Sequence, residues 1–479
     1  MDHLCATKII ATVGPASSSP EVLAQLIENG VDVFRFNMGH GDHETHRTTM
    51  ANLRHVAKDS GRAIAIMCDL GGPKLRIGPM PEDGVILEVG AELELVCGGE
   101  SFVGDAAKFW TFHPQIAEDV KPGEPVLLDD GRLVLQVIST DGSSVRCKVI
   151  SGGKLTSRKG VSLPDTDLSL PSLTEKDHKD LEFALDQQVD FVALSFVRNR
   201  LEIDTLRRRI GSGPNDPGII AKIEKPQAIT NLEAIVSASN GVMVARGDLG
   251  VEFPVEKVPM LQKQIIDEAN RQGRISIVAT EMLQSMVDSP RPTRAEAGDV
   301  ANAVLDGADC VMLSQETSVG DHPALVAKTM RHICREVEFS EDYKQGARRT
   351  MLQVDARKSV QNAAARAAIG MAHDLGAAAV ACFTASGTTA RLTTDYRCQV
   401  PVFGFTSNPV TYRRMAIYAG VRPCLIEEGH TSEGTIARML DEVVAQDGAK
   451  PGELVVVTTK SRPEYRGGTD SIRLVRVAG

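Results

Sequence analysis

The stretch TKIIATVGPASSSPEVLAQLIENGVDVFRFN, Thr7–Asn37, holds one complete cycle of the pattern that decides the fold. The apolar run KIIATV reads as a buried strand, and a polar turn follows it. Ser19 is placed to cap a helix whose first position is Pro20, where a missing N–H costs nothing. Val22, Leu23, Leu26 and Ile27 make one apolar stripe at helical spacing, and Gly30 ends it. A second apolar run, VDVFRFN, begins at once. Strand, turn, helix, strand is the repeating unit of a parallel sheet.

The same cycle recurs along the chain at AIAIMCD, VDFVALS, GIIAKIE, GVMVARG, ISIVATE and DCVMLSQ, which with the first two runs makes eight strands. Eight strands alternating with helices predict a (β/α)8 TIM barrel, with functional groups at the C-terminal strand ends. The third and fourth strands stand too far apart for one helix. Between them VILEVGAELELV, PVLLDDGRLVLQVI and SSVRCKVI alternate with period two between glycine turns, which predicts a small inserted β-barrel acting as a lid. After about Gln345 the cycle starts afresh, predicting a C-terminal open α/β domain with its own sheet. The expected division is residues 1–72 with 165–344 for the barrel, 73–164 for the lid and 345–479 for the C-terminal domain.

The 479 residues are 42% hydrophobic and 24% charged, with a net charge of −10. That balance argues against a nucleic-acid partner, which needs a basic field. Nine cysteines without a C-x-x-C pair fit reduced thiols. No apolar run approaches the roughly 20 residues that span a bilayer, and the opening MDHLCATKIIATVG lacks the pattern of a signal peptide. A soluble cytoplasmic protein with no membrane partner is expected.

Several strand ends carry groups suited to an anion. In VDVFRFNMGHG the strand period puts Arg35 and Asn37 on one face, with Phe34 and Phe36 on the other. In GIIAKIEKP it pairs Lys222 with Glu224, which by itself is equally a common buried ion pair. VARGDLGVE brings Gly247 and Asp248 to the next strand end. Glu224 and Asp248 together could hold a Mg²⁺ that takes its remaining ligands from substrate and water. Mg²⁺, an arginine, a lysine and backbone N–H groups are the parts of a phosphoryl-transfer site. His40, His43 and His46 recur every third residue in HGDHETH, yet nothing completes a zinc site around them. In CFTASGTTARL, Thr384, Ser386, Gly387, Thr388 and Thr389 open a helix, which serves either an effector phosphate or ordinary capping.

These motifs together resemble the pyruvate kinase family over nearly the whole chain: TKIIATVGPAS, RFNMGHG, DLGGPKLRIG, SRKGVSLP, LSFVR, AKIEKP, VARGDLGVE, ATEMLQSM, PRPTRAEAGDVANAVLDGAD and MLSQETSVGDHP. The resemblance implies Mg²⁺-dependent phosphoryl transfer from phosphoenolpyruvate to ADP, giving pyruvate and ATP in glycolysis, by a homotetramer. Mn²⁺ is an alternative to Mg²⁺, and a second divalent ion arrives with the nucleotide. Lys222 matches the lysine that stabilises the transferring group, Arg35 its phosphoryl ligand, and Glu224 and Asp248 the metal ligands. Gly247, Asp248 and Thr280 match the substrate-carboxylate site, with Thr280 also on the proton relay to the enolate. Asn37, His40, Arg76 and Lys159 match nucleotide positions.

The chain departs from the family pattern where a monovalent cation binds. Gly39 and Leu70 stand at positions usually held by serine and threonine, Lys74 replaces a glutamate, and Ile77 replaces a threonine. This combination resembles the branch that works without K⁺, and Lys74, near Asn37 and Asp69, is expected to act as an internal cation. Gln315, at the expected end of the eighth strand, replaces a glycine. The C-terminal TTKSRPEYRGGTDSIRL is less glycine-rich than many members, so the effector is not legible. Two other classes compete: an inactive metabolite sensor, which would not need Lys222, and a Mg²⁺-enolate lyase, which would not need a lid carrying Lys159.

Overall fold

The computed structural model describes residues 5–346, 359–427, 429, 431–460 and 469–478. The opening stretch folds as its pattern dictates. Strand β1 (Lys8–Thr12) is followed by a helix, Pro20–Glu28, and β2 (Val31–Asn37). Ser19 accepts the Val22 amide, and Leu23, Leu26 and Ile27 are buried. β3 (Ala65–Asp69) completes the first part of the barrel. After the insertion, β12 (Phe191–Leu194), β13 (Gly218–Ile223), β14 (Gly241–Ala245), β15 (Ile275–Ala279) and β16 (Cys310–Leu313) close it, in the order β1-β16-β15-β14-β13-β12-β3-β2. All eight pairings are parallel.

Alternation divides the barrel core in two. Phe34, Phe36, Ile66, Ile219 and Val242 pack outward on the helices, while Ile10, Val33, Met67, Ile220, Met243 and Met312 fill the interior. Ala416 and Ile417 of the C-terminal domain join that inner layer, so a turn of one domain plugs the barrel of the other.

The insertion comprises β4 (Val85–Leu87), β5 (Glu92–Cys97), β6 (Lys108–Thr111), β7 (Pro125–Leu128), β8 (Leu133–Thr140), β9 (Ser144–Ser151), β10 (Gly153–Leu155) and β11 (Val161–Ser162). Six of these form one sheet, β11-β7-β8-β9-β5-β6, and β4 pairs with β10. The two edges of the six-stranded sheet are joined by the entry segment itself. Arg76 bridges Gly160 beside β11, and Ile77 bridges Thr111 of β6. Further backbone bonds run from Val161 N to Leu75 O (3.0 Å), Ile77 N to Lys159 O (2.9 Å) and Gly78 N to Trp110 O (2.6 Å). The expected small β-barrel is thus sealed by Leu75–Gly78.

The C-terminal sheet runs β19 (Val421–Leu425), β18 (Val402–Thr406), β17 (Ala379–Phe383), β20 (Leu454–Thr459), β21 (Ser471–Arg476). The first four are parallel; β21, which the sequence pattern did not reveal, is antiparallel to β20. RGDLGVE, directly after β14, forms a short helix, Arg246–Glu252. One expectation is corrected: Gln315 begins a one-turn helix, Gln315–Ser318, past the end of β16.

Candidate active site

The C-terminal ends of β2, β3, β12 and β13 bring one connected polar cluster together. Asp69, at the end of β3, is its hub and is almost fully buried. Register sets Asn37 beside Asp69 and Arg35 beside Met67, so Arg35 points inward two residues below the strand end. Its Nε donates to Asp69 Oδ2 at 2.7 Å and its Nη1 to Thr12 Oγ1 at 2.9 Å. Lys222, on the same inward face of β13, donates to Ser195 Oγ at 2.7 Å. Its Nζ lies 2.8 Å from Glu224 Oε1 and 3.5 Å from Asp69 Oδ1.

Burial alone would lower the Lys222 pKa, but Asp69, Glu224 and Asp248 outweigh it and hold the ammonium charged well above the ordinary lysine range. Burial works to raise the Asp69 pKa, and Lys222 and Arg35 reverse it, leaving this carboxyl below its ordinary value. Glu224 goes the other way: burial raises it, Lys222 offsets only part, and Asp248 raises it further. Its Oε2 accepts the Phe196 amide at 2.8 Å, whereas buried Oε1 makes no hydrogen bond beyond its ion pair. Two carboxylates near one another, one with an oxygen short of partners, form a donor set that fits a hard divalent cation with oxygen ligands.

Gly247 and Thr280 meet at the next strand ends. The Gly247 amide donates to Thr280 Oγ1 at 2.8 Å, and that hydroxyl donates to Ala279 O at 2.5 Å. Thr280 has φ +70°, a left-handed conformation that costs a β-branched residue on the order of 1–3 kcal/mol and concentrates at functional sites.

The nucleotide-side residues lie on two bodies. Asn37 ends β2 and His40 lies on the turn that follows, where Asn37 Oδ1 accepts the Gly39 amide at 3.0 Å. Arg76 and Lys159 lie on adjacent segments of the lid, with Lys159 paired to Asp129 at 2.6 Å. Lys74 is exposed on the segment entering the lid, and Asp69, expected beside it, is engaged by Arg35, Lys222 and Ser195. Leu70 and Ile77 are buried apolar residues. The histidines scatter, His43 to Asp180 and His46 to the His40 carbonyl. In the C-terminal loop Ser386 and Thr388 are exposed, their hydroxyls 2.9 Å apart. Thr389 turns inward to Thr469 at 2.6 Å, and Thr384 is buried. Gly387 caps the following helix with φ +81°. Part of the C-terminal stretch singled out from the sequence, residues 461–468, lies outside the described residues.

Ser195, Thr12 and Phe196 escaped the sequence reading. Ser195 directly follows a barrel strand, and that position was the one available signal.

A charged lysine and arginine over paired carboxylates, at the mouth of a barrel with an inserted lid, define a phosphotransferase of the TIM-barrel class. Comparison with known proteins resolves the class further. The family model described as "Pyruvate kinase, barrel domain" matches residues 4–327, and "Pyruvate kinase, alpha/beta domain" matches residues 362–475. Pyruvate kinase of Corynebacterium glutamicum is 39% identical over 468 residues, covering 98% of this chain and 97% of that one. Pyruvate kinase 2 of Synechocystis sp. is 40% identical over 473 residues, covering 98% and 78%. The crystal structure of a pyruvate kinase from Cryptosporidium parvum superposes with a TM-score of 0.93 at 35% identity, covering 98% and 96%. The chain belongs to the pyruvate kinase family.

Proposed function

We propose that the chain transfers the phosphoryl group of phosphoenolpyruvate to ADP, giving pyruvate and ATP in glycolysis, in the cytoplasm and as a homotetramer. The reading is carried by Lys222, a buried lysine kept charged by Asp69 and Glu224 and aimed from the same rim as Arg35. The bond from phosphorus to the enol oxygen breaks, one to a terminal ADP oxygen forms, and the enolate then takes a proton at its methylene carbon.

Arg35, fixed by Asp69 and Thr12, has N–H donors left for the phosphoryl oxygens. Lys222 adds a second positive charge where negative charge builds up in transfer. The Gly247 and Asp248 amides and Thr280 position the substrate carboxylate, and Thr280 relays the proton. Lys159 and Arg76 bring the nucleotide in from the lid, opposite Asn37 and His40. Glu224 and Asp248 would hold Mg²⁺, or Mn²⁺ in its place, which neutralises charge on the phosphoryl oxygens.

K⁺ independence belongs to the same proposal. The absence of hydroxyls at Gly39, Leu70 and Ile77, with Leu70 and Ile77 buried in apolar surroundings, supports it. Lys74 on the lid hinge supplies the compensating charge. An effector phosphate would engage Ser386 and Thr388, the exposed hydroxyls of their loop.

The test is pyruvate formation from phosphoenolpyruvate with ADP and MgCl₂ supplied and withheld independently. Turnover requiring both supports the reading. Turnover without ADP would indicate a lyase, and none with any nucleoside diphosphate a binding protein.

A further inference from the structure

Behind the two carboxylates lies a second ion pair to which the chemistry above gives no role. Lys225 Nζ is 2.5 Å from Glu252 Oε1, and both side chains are nearly inaccessible, at 11% and 3%. Each partner is tied to one of the candidate metal ligands. Glu252 stands one helical turn after Asp248 on the short helix Arg246–Glu252, so the two carboxylates share a face. Lys225 directly follows Glu224, and its ammonium lies 5.4 Å from the centre of the Phe196 ring. The amide of that same Phe196 holds Glu224 Oε2.

Phe196 is confined from its other side as well. Gly72, at φ +65° in the lid hinge, packs so closely that a Cβ there would meet the ring at 2.6 Å. Glu252 Oε2 is buried without a hydrogen bond, so Lys225 is the main compensation for that carboxylate. A buried charge with one strong partner fixes geometry tightly, because moving the partner leaves it uncompensated.

We propose that the Lys225–Glu252 pair is a positioning element that sets the separation of Glu224 and Asp248 and thereby the affinity for the divalent cation. The inference rests on the reading that those two residues hold the cation. Lys225 and Glu252 act through the strand and helix that carry the ligands, as outer partners of metal sites do.

The experiment titrates the full chain with Mn²⁺ alone, reading free Mn²⁺ by electron paramagnetic resonance without substrates. Glu252→Gln and Lys225→Gln are expected to weaken Mn²⁺ binding about tenfold. Lys225→Arg, which keeps the ion pair, stays within about twofold of the parent, and Glu224→Gln loses the ion. The KM for ADP at saturating Mn²⁺ stays at the parental value in the folded variants, which a general structural collapse would not allow. Parental Mn²⁺ affinity in Glu252→Gln, with binding lost in Glu224→Gln, overturns the positioning role alone. Parental affinity in Glu224→Gln overturns the ligand assignment and the inference with it. Should Glu252→Gln fail to fold, the contrast between Lys225→Gln and Lys225→Arg decides: a difference supports the role, and equal parental affinity overturns it.

Discussion

Gly247 and Thr280 are locked across the ends of two neighbouring barrel strands by one hydrogen bond, amide to hydroxyl, at 2.8 Å. In this state the hydroxyl proton is directed at Ala279 O, so a relay through Thr280 requires it to swing away. Thr280→Val keeps the branched shape and removes the relay. It is expected to lower kcat about 100-fold with little change in the KM for phosphoenolpyruvate. Thr280→Ser restores most of the loss. Steady-state kinetics with both variants check this.

Asp69 gives a signed pH effect. Its folded pKa is depressed below the ordinary 3.8 because Lys222 and Arg35 overcome its burial. The stability it contributes is therefore fully present above that ordinary value and is lost as pH falls through the folded pKa. Asp69→Asn is expected to lower the thermal midpoint at pH 6, and the gap to the parent should narrow steadily below pH 3.8. Calorimetric melts across pH 2.5 to 6 measure it.

Lys74 makes the cation proposal testable. Pyruvate formation by the parent is expected to change less than about twofold when KCl replaces a bulky organic cation, because the charge is carried on the chain. Lys74→Glu should reduce activity at zero KCl, with KCl restoring part of it. Strong K⁺ activation of the parent would remove Lys74 from the site.

Arg413 joins the two α/β bodies through Asp190, its Nε 3.0 Å from an almost inaccessible carboxylate. Burial raises the Asp190 pKa and Arg413 opposes it. Arg413→Ala removes the ion-pair partner of that carboxylate, leaving it the Ile66 amide at 2.9 Å, and should cost about 3 kcal/mol at neutral pH. The penalty should lessen toward acid, where Asp190 is protonated. Urea unfolding at pH 5 and 8 tests both statements.

Much of the fold was legible because the signals were local. Ser19, Pro20 and Gly30 frame a helix within a dozen residues, and alternation in VDVFRFN sends Arg35 and Phe34 to opposite faces without reference to the rest of the chain. Arg35, Lys222 and Glu224 were readable for the same reason. Ser195 was not, because its contact with Lys222 depends on where β12 falls against β13. Glu252 and Lys225 were quoted within motifs, yet their pairing joins segments whose proximity only the folded barrel creates. The helix at RGDLGVE was not legible because its two glycines disfavour one, whereas packing of Leu249 into the barrel core draws the segment into a helix.

The seam at Leu75–Gly78 bears on the order in which the molecule assembles. Strand β3 must find β12 across about 120 residues, and a flexible connection of that length carries a closure cost that grows with its logarithm. A lid that folds first ties its entrance to its exit, through Arg76 with Gly160 and Val161 with Leu75. The long connection then behaves as a short one, and β12 is delivered to the waiting edge of β3. Under that order of assembly, the seam turns a long closure into a short one.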